Sequence, residues 1–146
     1  MNTQNIALDS CVVIDILEKP KVASKIKANL RGKPVKIILC DVVLGEVNRV
    51  RGYLPDVVIA KISQILGKKI ETSQIDSEQT SNAQQITNQF QVCHNGDNKI
   101  LSLCQAKDFI LVTFDRMLLK ACEFVGVAAF HPTMLRGIKN VTINVP

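Results

Sequence analysis

Short apolar runs that stop at or near an aspartate, each followed by a helical pattern, constrain this chain most. Ile6-Ala7-Leu8 ends at Asp9, and Phe109-Ile110-Leu111-Val112 reaches Asp115 after only Thr113 and Phe114. Alternation of short apolar runs with helical periodicity predicts an α/β domain with a mainly parallel sheet and helices on both faces. At 146 residues the chain is read as one domain spanning residues 1–146, long enough to bury a sizeable core.

The elements follow from periodicity and from turn residues. Ile6 to Asp9 reads as a first strand and Ser10 to Leu17 as a helix. Past Pro20, a basic helix runs from Val22 to Leu30 and is ended by Gly32 and Pro34. Val35 to Cys40 is a second strand, Asp41 the N-cap of a helix to Arg51, and Gly52 its stop. Pro55 suits the first turn of a helix to Leu66, and Lys69 to Thr72 is a short third strand. Ser77 to Val92 is polar, yet Ala83, Ile86, Phe90 and Cys93 fall at helical spacing, so it is expected to be amphipathic. Further on come a helix Gly96–Ala106, a strand Phe109–Thr113, a helix Asp115–Phe124 and a strand Val127–Ala129. Val141 to Val145 alternates as an edge strand would.

Composition removes several classes of protein. No apolar stretch approaches the length that crosses a bilayer, so no membrane partner is expected. Met1 to Asn5 lacks the basic opening of a secretory signal. The five cysteines, Cys11, Cys40, Cys93, Cys104 and Cys122, are an odd number, and four of them fall in apolar patterns. They read as small buried hydrophobes in a reducing cytoplasm, not as a disulfide framework. The net charge of +5 is uneven: Lys19, Lys21, Lys25, Lys27, Arg31, Lys33 and Lys36 occur with no acid between them. A polyanion such as nucleic acid suits that flank, and a solvated helix and loop is the plainer explanation.

Four carboxylates stand where a plain core wants neutral residues. Asp9 and Asp115 follow strands. Glu46 shares a helical face with Val43, Val47 and Val50, and Asp97 shares one with Ile100, Leu101 and Cys104. Each has a structural excuse. Asp9 and Asp115 can cap helices, Asp97 suits a first turn, and Glu46 can sit at the edge of its stripe. Together they can meet at the carboxyl edge of a parallel sheet, where functional groups collect. Converging carboxylates repel, and a divalent cation relieves that repulsion.

The ordered motifs resemble those of PIN-domain proteins. Asp9-Ser10-Cys11-Val12-Val13-Ile14-Asp15-Ile16-Leu17 is similar to the family's opening motif, and Leu44-Gly45-Glu46-Val47 to the stretch holding its second acid. Asp97-Asn98-Lys99-Ile100-Leu101 resembles the third motif, and Leu111-Val112-Thr113-Phe114-Asp115-Arg116 the fourth. The resemblance implies a Rossmann-like three-layer α/β/α sandwich and an endoribonuclease dependent on magnesium or manganese (Mg2+ or Mn2+). Asp9, Glu46, Asp97 and Asp115 would be the catalytic and metal-holding residues, with Ser10 and Thr113 orienting them. Lys19, Lys21, Lys25, Lys27, Arg31 and Arg116 are the candidate RNA contacts. Implied partners are RNA, an antitoxin or RNA-processing protein, and a second copy of the chain. The role is that of a toxin in a toxin–antitoxin pair or of an RNA-processing factor.

One departure is visible. Many family members carry another acid two or three residues after the Asp115 position, where Met117 and Leu118 stand here. A non-catalytic module that binds RNA or a protein partner is therefore the alternative. Other chemistries lack their residues. Cys93-His94 has no second pair at zinc spacing, and His131 before Pro132 is expected in solvent. No glycine-rich phosphate loop is present, which disfavours a small-molecule Rossmann domain. Cys11 stands where a haloacid dehalogenase needs its second Asp, and the acids and lysine of a receiver domain are not recognisable.

Overall fold

A computed structural model describes residues 3–75 and 95–137. In chain order the elements are β1 (Gln4–Leu8), α1 (Ser10–Glu18), α2 (Pro20–Leu30), β2 (Val35–Cys40), α3 (Asp41–Arg51) and α4 (Pro55–Leu66). They continue with β3 (Ile70–Ser73), α5 (Asn95–Lys107), β4 (Ile110–Val112), α6 (Arg116–Val125), β5 (Ala129–Phe130) and a 3-10 segment (Pro132–Gly137). The five strands form one sheet in the order β3-β2-β1-β4-β5, and every pairing is parallel. This is the α/β sandwich that the alternation predicts.

The central strand is apolar because both its faces are covered. Ile6, Ala7 and Leu8 of β1 and Ile37, Ile38 and Leu39 of β2 are all at most 1% exposed. Each fully buried Ile or Leu contributes ~1.5–3 kcal/mol relative to exposure. Helices supply the two outer layers through narrow apolar faces. Examples are Val12, Val13 and Ile16 of α1, Ala23, Ile26 and Leu30 of α2, and Val58, Ile62 and Leu66 of α4.

Strand order sets where a site can form. From β1 the chain winds outward through β2 to β3, then crosses to the other side of β1 to lay down β4 and β5. The winding direction therefore reverses between β1 and β4, and the crevice at their carboxyl ends is the switch point.

Several boundaries differ from expectation, each for a local reason. Gln4 and Asn5 join β1, since Gln4 N–H donates to the Pro34 carbonyl and both residues pair with β2. Asp41 is the first helical residue of α3 and not its cap; the cap position is Cys40, and Asp41 Oδ1 accepts from the N–H groups of Val42 and Ile75. β5 starts at Ala129, because the Val127 N–H donates to the Cys122 carbonyl and stays with the end of α6. The apolar stripe of α3 does not reach Val50, which is half exposed; its buried face is Val43, Leu44 and Val47. Cys40, Cys104 and Cys122 are buried as expected, whereas Cys11 faces solvent. The expected helix Ser77–Val92, with Cys93, and the expected strand Val141–Val145 lie outside the described residues.

Candidate active site

Asp9 stands at the centre of the switch point. Its N–H donates to the Val112 carbonyl at 3.0 Å, which extends the β1–β4 ladder by one residue and brings Asp9 beside Thr113. Asp9 Oδ1 accepts from the Ser10 N–H at 2.8 Å, and Oδ2 accepts from the Thr113 hydroxyl at 2.7 Å. The same hydroxyl oxygen accepts from the Asp115 N–H at 3.1 Å. Because a backbone N–H can only donate, this chain of bonds aims the single Thr113 hydroxyl proton at Asp9. All three residues of this core are buried, with Asp9 only 6% exposed.

Burial pushes the Asp9 carboxyl above its ordinary value. The Thr113 and Ser10 donors pull it back, and the charges of Glu46 and Asp115 push it further up. Glu46 arrives on the second turn of α3, a helix that begins where β2 ends. Its Oε1 accepts from the Ser10 hydroxyl, and its Oε2 lies 3.6 Å from the Arg49 guanidinium. Ser10 thus binds Asp9 through its backbone and Glu46 through its side chain. Arg49 belongs to none of the four motifs, and its spacing of three from Glu46 on one helix is the sequence signal for this contact.

Asp115 enters after β4 and caps α6, its Oδ1 accepting from the N–H groups of Met117 at 2.9 Å and Leu118 at 3.3 Å. The structural role expected of it is therefore present. Of the two places where many family members carry a further acid, Leu118 is buried in the core and Met117 is exposed. Asp97 is the third residue of α5. That helix leads by its far end into β4, which puts its first turn at the carboxyl edge of the sheet. The side chain of Asp97 lies outside the described residues. One turn and two turns on, Ile100, Leu101 and Cys104 are buried. Burial raises the Cys104 thiol well above its ordinary value, and the Asp9 charge is among the lesser causes.

Among the described residues, no three His, Cys, Asp or Glu side chains converge tightly enough to hold a metal ion by themselves. The donors nevertheless fit a hard cation. They are all oxygens, and a buried carboxylate with two like charges nearby is the arrangement that a divalent ion relieves.

The expected RNA contacts divide into two groups. Arg116 is exposed in the first turn of α6, next to Asp115. Lys19, Lys21, Lys25, Lys27 and Arg31 are also exposed, but α2 begins at the end of α1 and leads into the start of β2. Both ends of α2 therefore lie toward the amino edge of the sheet, opposite the carboxylates. Lys19 also pairs with Asp15 at 3.4 Å. His131 is only partly exposed, its ring edge-on to Phe114.

The PIN-domain family model matches residues 6–123. The chain belongs to the PIN-domain family. Solved structures agree on the fold at low identity. VapBC2 from Rickettsia felis, solved with a DNA fragment from its promoter, gives a TM-score of 0.65 at 16% identity, covering 88% of this chain and 98% of that one. VapC20 from Mycobacterium tuberculosis, described as a sarcin-ricin loop cleaving toxin, gives 0.57 at 17% identity, with 80% and 94% covered. A domain of a functionally unknown protein from Methanocaldococcus jannaschii gives 0.56 at 17% identity, with 98% and 96% covered. No curated protein sequence matches this PIN domain. None of its described helices is long and apolar enough to cross a membrane.

Proposed function

We propose that this PIN domain, acting as one unit over residues 1–146, is a metal-dependent endoribonuclease. Asp9, Glu46, Asp97 and Asp115 form its catalytic and metal-holding set. The observation that carries the reading is Asp9 itself. It is a buried carboxylate at the switch point, held by two donors and raised by burial and by two neighbouring acids. In this reading Ser10 and Thr113 fix the two oxygens of Asp9, and Ser10 ties Glu46 to the same pocket. Arg116 offers a charge to the RNA backbone at the site. The α2 lysines offer a separate, sequence-independent field for the same polyanion. A magnesium or manganese ion, when bound, would offset charge on the phosphate and activate water for phosphodiester hydrolysis.

The biological role we assign is that of a cytoplasmic toxin held by an antitoxin, or of an RNA-processing factor, in either case able to pair with a second copy. Likeness to VapBC2 and VapC20 supports the toxin role. A non-catalytic module that binds RNA or a protein remains the second reading. It is favoured by Met117 and Leu118, which stand where many family members carry another acid.

Cleavage assays separate the two. Purified protein is expected to cut RNA with Mg2+ or Mn2+ and to stop on addition of EDTA, and Asp9→Asn and Asp97→Asn are each expected to abolish cutting while remaining folded. Full cutting by both variants, or cutting indifferent to EDTA, would refute the enzyme. RNA binding with no cutting in any metal would establish the module.

A further inference from the structure

The carboxyl edge carries a feature that the carboxylates do not use. The whole chain has only five phenylalanines, one tyrosine and no tryptophan. One of those phenylalanines meets one of the chain's two histidines beyond the ends of β4 and β5. Phe114 lies between Thr113, which holds Asp9, and Asp115, which caps α6. Phe130 is the last residue of β5, and its carbonyl accepts from the Thr113 N–H at 3.2 Å. His131 follows, and its ring packs on Phe114 with centroids 5.3 Å apart and planes at 78°.

The pair is built to hold its orientation. His131 Nδ1 accepts from the Thr133 N–H at 3.2 Å and lies 2.8 Å from the Thr133 hydroxyl. An Nδ1 that accepts a backbone N–H leaves the proton of the neutral ring on Nε2, so the ring also has a donor to offer. Phe114, Phe130 and His131 are each only partly buried. An edge-on pair covers one ring face and leaves π surface for a third planar group.

We propose that Phe114 and His131 form a stacking subsite for an unpaired nucleobase next to the phosphate held at the carboxylates. The inference rests on the ribonuclease reading above and adds a substrate property to it. Unpaired bases are recognised by stacking on Phe, Tyr, Trp or His, whereas bases within a duplex keep their faces covered. Phe114 is joined directly to Asp115, so a base on this platform belongs to a nucleotide at or beside the cleaved bond. The subsite therefore selects single-stranded segments.

Binding of a single-stranded oligoribonucleotide carrying 2-aminopurine, measured in EDTA so that nothing is cut, tests the subsite apart from catalysis. Wild-type protein is expected to change 2-aminopurine fluorescence on binding, and Phe114→Leu and His131→Ala each to lose that change. Each variant should also weaken binding about 5-fold or more, the lower range for one lost base stack. Phe114→Tyr, which keeps the ring, should restore both. Circular dichroism and melting identify any variant that fails to fold, and His131→Ala, at a partly exposed position, stands as the second probe. Failure of the wild type to bind, unchanged fluorescence and affinity in the folded variants, or equal binding of a blunt duplex would each overturn the subsite. Stacking without any cutting in metal would instead remove the ribonuclease reading and leave the platform.

Discussion

Thr113 shows how much one hydroxyl carries. It is completely buried, donates to Asp9 and accepts from the backbone of Asp115, so it joins the residue after β1 to the residue that starts α6. Thr113→Val keeps the shape and removes both bonds. Leaving a buried carboxylate oxygen and an N–H without their partner is expected to cost about 1–3 kcal/mol, read as a lower urea midpoint at unchanged slope. Unchanged stability would show that these bonds contribute nothing. Asp9 also has a pH signature. Its carboxyl sits above the ordinary value of 3.8 because the fold disfavours the charged form. That contribution is fully stabilising below the unfolded value and is lost as pH rises through the raised folded value. Without metal, the melting temperature of the wild type relative to Asp9→Asn is therefore expected to fall from acid toward neutral pH. A difference that stays constant across that range would contradict the electrostatic account.

Elements deliver these residues, and the boundaries set by proline and glycine were the part most legible in the sequence. Pro55 in the first turn of α4 and glycines after α3, α4 and α6 mark boundaries by backbone chemistry alone. Gly52 has φ 74°, and a methyl group there meets no atom within 4 Å. Gly52→Ala is thus a test of backbone preference without a clash, with an expected loss of about 1–2 kcal/mol in thermal or urea unfolding. No loss would mean that α3 ends equally well without the left-handed residue. The first and fourth motifs were readable because an aspartate after an apolar run is conspicuous. What could not be read was pairing. Nothing in Gln4 or Asn5 announces a strand, and only the neighbouring Val35 and Lys36 make them one. The Glu46–Arg49 contact and the Ser10 bridge likewise depend on how α1 and α3 pack, which periodicity does not specify.

For the whole molecule, strand order separates the carboxylates from the basic helix α2. The reversal between β1 and β4 gathers Asp9, Asp115 and the first turns of α3 and α5 at one edge, while α2 carries its lysines toward the other. The basic run was plain in the sequence; its distance from the acids was not, because it follows from where α2 enters and leaves. The central claim is that four carboxylates, spread from Asp9 to Asp115, make one cation site. A crystal soaked in manganese tests it most directly, through anomalous density. The account predicts a peak bounded by Asp9, Glu46, Asp97 and Asp115. A saturated crystal with no density at that edge, or with manganese only elsewhere, would contradict it.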